Sequence, residues 1–138
     1  MTTKMTAAER RQRDETFARD WADAMEAGSE AGDRAFDETQ PVALVEATVT
    51  GAVRPGGREF TMPHGLCGFA WVHVPNAGSA FGRWVKKHHG ARTGYPSGLN
   101  WSVRQYGQCY EAKVAFADAA ADLLRARGYK VWSGDRLD

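Results

Sequence analysis

Between Met62 and Tyr110 the chain contains no Asp or Glu, and that carboxylate-free stretch reads as strand, short basic helix, strand. Gly68-Phe-Ala-Trp-Val-His-Val74 sets Phe69, Trp71 and His73 against Ala70, Val72 and Val74, the period-two signature of a strand with two unlike faces. Ser79 suits an N-cap, Phe81, Trp84, Val85 and His88 recur at helical spacing, and Gly90 suits the stop. Leu99 to Tyr106 alternates again, with Leu99, Trp101 and Val103 against Asn100, Ser102 and Arg104. Such a unit leaves apolar faces that only flanking elements can cover. A chain of 138 residues is the size of one domain, able to bury roughly two-thirds of its unfolded surface without a metal or disulfide.

The flanks supply those elements. Cys109–Arg127 reads as a helix with Tyr110, Val114, Ala117, Ala121 and Leu124 in one row, its alanines allowing close approach to a sheet. Tyr129–Trp132 reads as a last short strand before the polar end Ser133–Asp138. Upstream, Thr6-Ala-Ala-Glu9 has capping-box spacing and opens a helix with the stripe Phe17, Trp21, Ala24 and Met25. Its first turns carry no apolar face and are expected to project, while Gly28 and Gly32 are expected to end it and begin a polar linker to Gln40. After Pro41, Val42–Thr50 suits a half-buried strand continuing to Val53, with a turn at Arg54–Arg58 and a return at Glu59–Met62. The expected organisation is an acidic helix and linker over 1–40 and a compact α+β domain over 41–138. Its sheet is four- to five-stranded, mainly antiparallel or mixed, with two helices on one face and the N-terminal helix in addition.

The net charge of +1 conceals a segregation. Residues 1–61 hold 8 Lys/Arg and 12 Asp/Glu, whereas 62–110 hold 5 and 0. Fields of opposite sign in one chain can dock on each other, on a second copy or on another partner. No apolar run approaches the ~20 residues of a membrane span, so no membrane partner is expected. The start, Met1 to Arg10, lacks the apolar core of a secretory signal, which points to the cytoplasm. In that compartment Cys67 and Cys109 are expected as unpaired thiols.

Cationic side chains beside aromatics can hold phosphates and stack bases. The candidates in the basic centre are Arg83, Trp84, Lys86, Lys87, Arg92 and Arg104, and an anion could also meet the start of the last helix at Gln108 and Lys113. A purely structural account competes with this one. Lys86, Lys87, His88 and His89 lie near a helix C-terminus, where positive charge is favoured, and helices covering the aromatic side of the sheet would turn Trp71, Trp84 and Trp101 into core. For metal, His64-x-x-Cys67 has no matching pair, and adjacent His88 and His89 diverge by ~100° on a helix, so neither a metal nor another cofactor is expected. Single cysteines and histidines without local context define no triad, and no catalytic residue is assigned.

Arg83-Trp84 with Lys86-Lys87, Gly107-Gln108 leading to Lys113-x-Ala115-x-Ala117 and Leu124, and the ending Gly134-Asp-Arg-Leu-Asp138 carry a resemblance. Over Gly68–Asp138 the chain resembles small bacteriophage-type α+β proteins of unassigned function. The resemblance implies a phage accessory protein, in the host cytosol, and transfers no site residue. The first expectation is therefore a non-enzymatic protein that binds a host or viral protein, or itself, through Phe17, Trp21 and Met25. The alternative is a nucleic-acid-binding module using the basic centre, and the third reading is a small enzyme using His or Cys chemistry.

Overall fold

The computed structural model describes residues 4–138; Met1 to Thr3, part of the start read above for a signal, lie outside the described residues. Helix α1 (Ala7–Glu38) opens on the capping box: the Glu9 amide donates to Thr6 Oγ1 and the Thr6 amide to Glu9 Oε2, each at 3.1 Å. It does not end at Gly28, and the linker expected from there to Gln40 is helix as far as Glu38. Both glycines are buried contact points. A Cβ on Gly28 would lie 2.7 Å from Phe116 Cε1, and one on Gly32 would lie 2.7 Å from Tyr106 Cε2. Each glycine costs a helix about 1 kcal/mol relative to alanine, and here that cost is offset by an aromatic ring seated on the bare backbone.

Strands β1 (Val42–Val45) and β2 (Glu59–Met62) pair antiparallel as a separate hairpin. The half-buried strand expected to run to Val53 is thus four residues long. Leu44, Val45, Val49, Val53 and Phe60 are exposed, because the outer hairpin has no layer against it. Beyond the paired part, Glu46 holds the turn through Arg58 Nε at 2.9 Å and, more loosely, Arg54.

The remaining elements are β3 (Gly68–Val74), α2 (Ala80–His89), β4 (Arg92–Thr93), β5 (Leu99–Ser102), α3 (Tyr110–Ala126) and β6 (Trp132–Leu137). They form one antiparallel sheet in the order β4-β5-β3-β6. A β-α-β-β-α-β succession with this strand order has the split βαβ arrangement. Ser79 Oγ accepts from the Gly82 amide at 2.9 Å and Gly90 ends α2 at φ 68°, as their positions in the sequence suggested. Three strands depart from expectation: β4 lies between α2 and β5 where no strand was expected, β5 stops at Ser102 although the alternation runs on to Tyr106, and β6 begins where the last strand was expected to stop. The polar run Ser133-Gly-Asp-Arg pairs with β3 as an edge strand because α3 satisfies its inward groups: Ser133 Oγ donates to Asp118, and Tyr110 donates its hydroxyl proton to Asp135.

The core lies between the sheet and the helices. Ala70, Val72 and Val74 of β3 meet Phe116, Ala117, Ala120, Ala121 and Leu124 of α3. Helix α1 runs along α3, and its Trp21, 3% exposed, joins α2 to β5: its ring centroid is 6.4 Å from Trp84 and 5.4 Å from Trp101. Polar ties lock the same helix down. Arg127 donates to Asp20 at 2.8 Å and Asp23 at 2.6 Å, Tyr129 to Asp20 at 2.6 Å, and Tyr106 to Asp33 at 2.7 Å. Burial raises the Asp20 pKa, but the Tyr129 hydroxyl and the Arg127 guanidinium prevail and hold it below 3.8. The acidic helix therefore docks on α3 and the chain that leaves it.

Candidate nucleic-acid interface

Alternation in β3 decides which side chains the sheet leaves uncovered. Ala70, Val72 and Val74 are buried under the helices, so Phe69, Trp71 and His73 emerge on the opposite face, which carries no helix. The helical layer takes the small and branched residues, which α3's alanines can approach closely, and the bulky rings remain on the open side. Register places their neighbours. Arg92 stands opposite Asn100, Asn100 opposite His73, and His73 opposite Trp132, one row crossing all four strands. The next row is Ser102, Trp71 and Gly134, and the third pairs Phe69 with Arg136.

Local packing fixes these groups. The Trp71 indole sits against Gly134, where any Cβ would collide with it. His73 Nδ1 donates to Asn100 Oδ1 at 2.6 Å, which orients the imidazole and leaves the Asn100 NH₂ free to donate elsewhere. Arg136 reaches back over Phe69, its Cζ 5.3 Å from the ring centroid, and Lys113 Nζ approaches the same ring at 5.6 Å. Tyr95, on the loop between β4 and β5, is almost wholly exposed. Phe69, Trp71, Tyr95, Asn100, Ser102 and Arg136, with Thr93 and Gly94, line an open groove of about 540 Å³. No Asp or Glu occupies the strand positions that alternate onto this face.

The residues singled out in the sequence separate into three places. Arg83, Lys86 and Lys87 are exposed on the outer side of α2, in the helical layer, where Arg83 and Lys87 flank a small pocket with Arg13, Asp14 and His88. Trp84 is only 8% exposed and packs with Phe17, Trp21 and Phe81, so it is core rather than a stacking group. Arg92 and Arg104 come together beside Asn100 and Ser102 at the β4–β5 edge of the open face. Lys113 reaches Phe69, whereas Gln108 lines a separate groove with His64, Cys67 and Cys109. The row read as a protein contact is also absorbed: Trp21 is buried and Phe17 and Met25 pack against the core. The acidic helix leaves the cations of the centre without carboxylate partners among the described residues, since its own ion pairs across the fold run to Arg127.

Sequence reasoning missed Phe69, Trp71, Tyr95, Trp132 and Arg136 as site residues. The alternation of β3 was visible; which of its faces the helices would choose was not. Trp132 and Arg136 were hidden because their strand has the composition of a polar tail.

This face can stack planar rings and neutralise anions. Its histidine is bonded to an amide and faces no nucleophile or carboxylate, and among the described residues no cluster of three His, Cys, Asp or Glu could hold a metal ion. Comparison of the chain with protein-family models, with curated proteins and with solved structures returned no match.

Proposed function

We propose that this protein binds single-stranded nucleic acid on the open face of its four-stranded sheet. The observation that carries the reading is the conjunction of rings on adjacent strands, the exposed Phe69 and Trp132 and the half-buried Trp71, with Arg92, Arg104, Lys113 and Arg136 around them and no carboxylate in the strand rows. Side chains two apart on a strand lie about 7 Å apart and neighbouring strands about 4.8 Å apart, so the rings form separate steps and not one stack. Every base has a π-face, and unstacked bases on such steps contribute about 1–3 kcal/mol each with little sequence preference. Four-stranded sheets bearing aromatics on an open face serve single-stranded RNA recognition in this way. A duplex keeps its bases stacked on each other and offers these rings nothing.

A protein contact through Phe17, Trp21 and Met25 is not the reading we advance, because those side chains are engaged inside the fold. The role remains that of a small non-enzymatic binding protein, in accord with the phage-type resemblance. No helix among the described residues is long and apolar enough to cross a membrane.

The test is fluorescence anisotropy with labelled RNA and DNA octanucleotides at low salt, with duplex as competitor. Binding should weaken with salt at a log–log slope of roughly −3, from about 0.7 per neutralised phosphate and four cations, and duplex should compete poorly. Trp71→Ala should weaken binding by about 5- to 150-fold, the equivalent of one stacked base. Absence of single-strand binding at low salt, or a Trp71→Ala protein that binds as the parent does, would refute the reading.

A further inference from the structure

We propose that the end of the open face around Phe69 is a phosphate subsite, in which Lys113 and Arg136 hold one phosphate of the bound strand. The proposal rests on the single-strand reading above and adds to it a fixed point for the backbone. Lys113 is the only charged side chain among the described residues that is buried, at 6% exposure, and it stands in the first turn of α3. Its stem is what is buried: the ammonium is not a buried polar group left unsatisfied, makes no ion pair and no side-chain hydrogen bond among the described residues, and snorkels out to 5.6 Å from the Phe69 centroid on the open face. Arg136 approaches that ring at 5.3 Å from β6 and also has no carboxylate partner among the described residues.

Asp135 turns to the helical side, where the Tyr110 hydroxyl donates to it, Glu111 lies 3.2 Å from Thr39 Oγ1, and Asp138, whose amide donates to the Cys67 carbonyl, makes no ion pair with either cation among the described residues. A phosphate beside Phe69 would supply the acceptors both cations lack, at the end of the groove that leads past Trp71.

Lys113→Met keeps the aliphatic stem and removes the charge; Arg136→Gln does the same at an exposed position. With the labelled octanucleotide, each should weaken binding several-fold and make the salt slope shallower by about one phosphate contact, while Lys113→Arg retains most of the affinity. If Lys113→Met disturbs folding, Arg136→Gln alone decides. Unchanged affinity and slope in these variants, with Trp71→Ala still impaired, would overturn the subsite and leave the strand reading standing. No binding by the parent protein would remove both.

A separate observation assigns a modification site. Cys67 and Cys109 stand directly opposite each other in an antiparallel bridge, with the Tyr110 amide donating to the Leu66 carbonyl at 2.9 Å beside them. Residues so paired have Cα atoms about 4.5–5.5 Å apart, inside the range of about 4.4–6.8 Å that a disulfide spans. Both are free thiols in the structure; Cys67 is partly exposed and Cys109 is buried. We infer that a peroxide converts them into an intramolecular disulfide. The Cys67 thiolate attacks one peroxide oxygen and becomes a sulfenic acid as hydroxide leaves and takes up a proton. The Cys109 thiol then attacks that sulfur, gives up its proton, and water departs as the S–S bond forms. The bond would tie the start of β3 to the start of α3, next to Phe69 and Lys113. Treatment with hydrogen peroxide at low protein concentration should remove two hydrogens from the intact mass, abolish thiol titration and raise the melting temperature, reversibly with a dithiol. Oxidation that gives only intermolecular dimers or sulfinic acid would overturn this assignment.

Discussion

Replacing Trp21 by alanine should cost about 4 kcal/mol, because this one side chain joins three elements. Its indole stacks on His89 with centroids 4.9 Å apart, meets Phe81 at 6.3 Å and Trp84 at 6.4 Å, and stands edge-on to Trp101 at 5.4 Å. An aromatic side chain buries about 150–250 Å², which at ~25 cal/mol per Å² gives about 4–6 kcal/mol. That is an upper figure, since the unfolded chain already shields some of the area. Large-to-small changes at buried aromatics cost about 3–5 kcal/mol, the cavity included. Unfolding entropy of about 2.1 cal/mol/K per residue, over 138 residues, converts 4 kcal/mol into a melting-point drop of roughly 14 °C. Urea unfolding followed by far-UV circular dichroism measures the loss directly, as a midpoint shift of about 2 M at a slope of about 2 kcal/mol/M. Trp132→Ala is the control. That indole is 45% exposed on the open face, and its removal should cost about 1 kcal/mol or less. A Trp21→Ala protein within about 1 kcal/mol of the parent would refute the claim that α1 completes the core, and with it the placement of the acidic helix.

Other perturbations probe separate parts of the fold. Gly28→Ala would gain about 1 kcal/mol of helix propensity, but its methyl meets the fully buried Phe116 ring, so overpacking of about 1–3 kcal/mol should prevail and denaturant unfolding should show a net loss near 1 kcal/mol. Gly134→Val should displace Trp71 from its seat, seen as a red-shifted tryptophan emission, and should weaken oligonucleotide binding more than stability. Burial, with the neighbouring His88 charge second, lowers the pKa of His89 below 6.5. The unfolded chain therefore takes up a proton that the folded one resists: the stabilisation is full above 6.5 and declines as the pH falls from there toward the folded pKa. Urea midpoints at about pH 7.5 and 5.5 should show this decline, and it should be smaller in His89→Gln; equal pH dependence in the two proteins would count against the stacking on Trp21 as its source.

The order of elements in the second half was legible because its signals are local. Ser79 and Gly90 bracket α2, the alanine row marks α3, and the alternation Phe69 to Val74 marks β3. What the sequence did not disclose depends on residues far away along the chain. Gly28 and Gly32 resemble helix stops until Phe116 and Tyr106, some 75 to 90 positions later, are known to lie on them. Trp132 to Leu137 is a strand because β3 pairs with it and α3 satisfies Ser133 and Asp135, and nothing in Ser-Gly-Asp-Arg announces that. The cations Arg83, Lys86 and Lys87 stood out by density, yet the rings they would need point elsewhere. Density of charge is a property of the chain, whereas adjacency to an open aromatic face is a property of the sheet.

The central claim is that the strand rests on the open face, and the five tryptophans divide so as to test it. Trp71 and Trp132 belong to that face, while Trp21, Trp84 and Trp101 pack on the helical side. Two-dimensional ¹H–¹⁵N spectra of the indole groups, assigned by single Trp→Phe variants and recorded during titration with an unlabelled octanucleotide, read all five at once. If the strand rests there, the Trp71 and Trp132 signals move or broaden with saturating behaviour while the other three stay in place. Saturable movement of Trp84 with Trp71 and Trp132 unmoved would put the ligand on α2 and not on the open face.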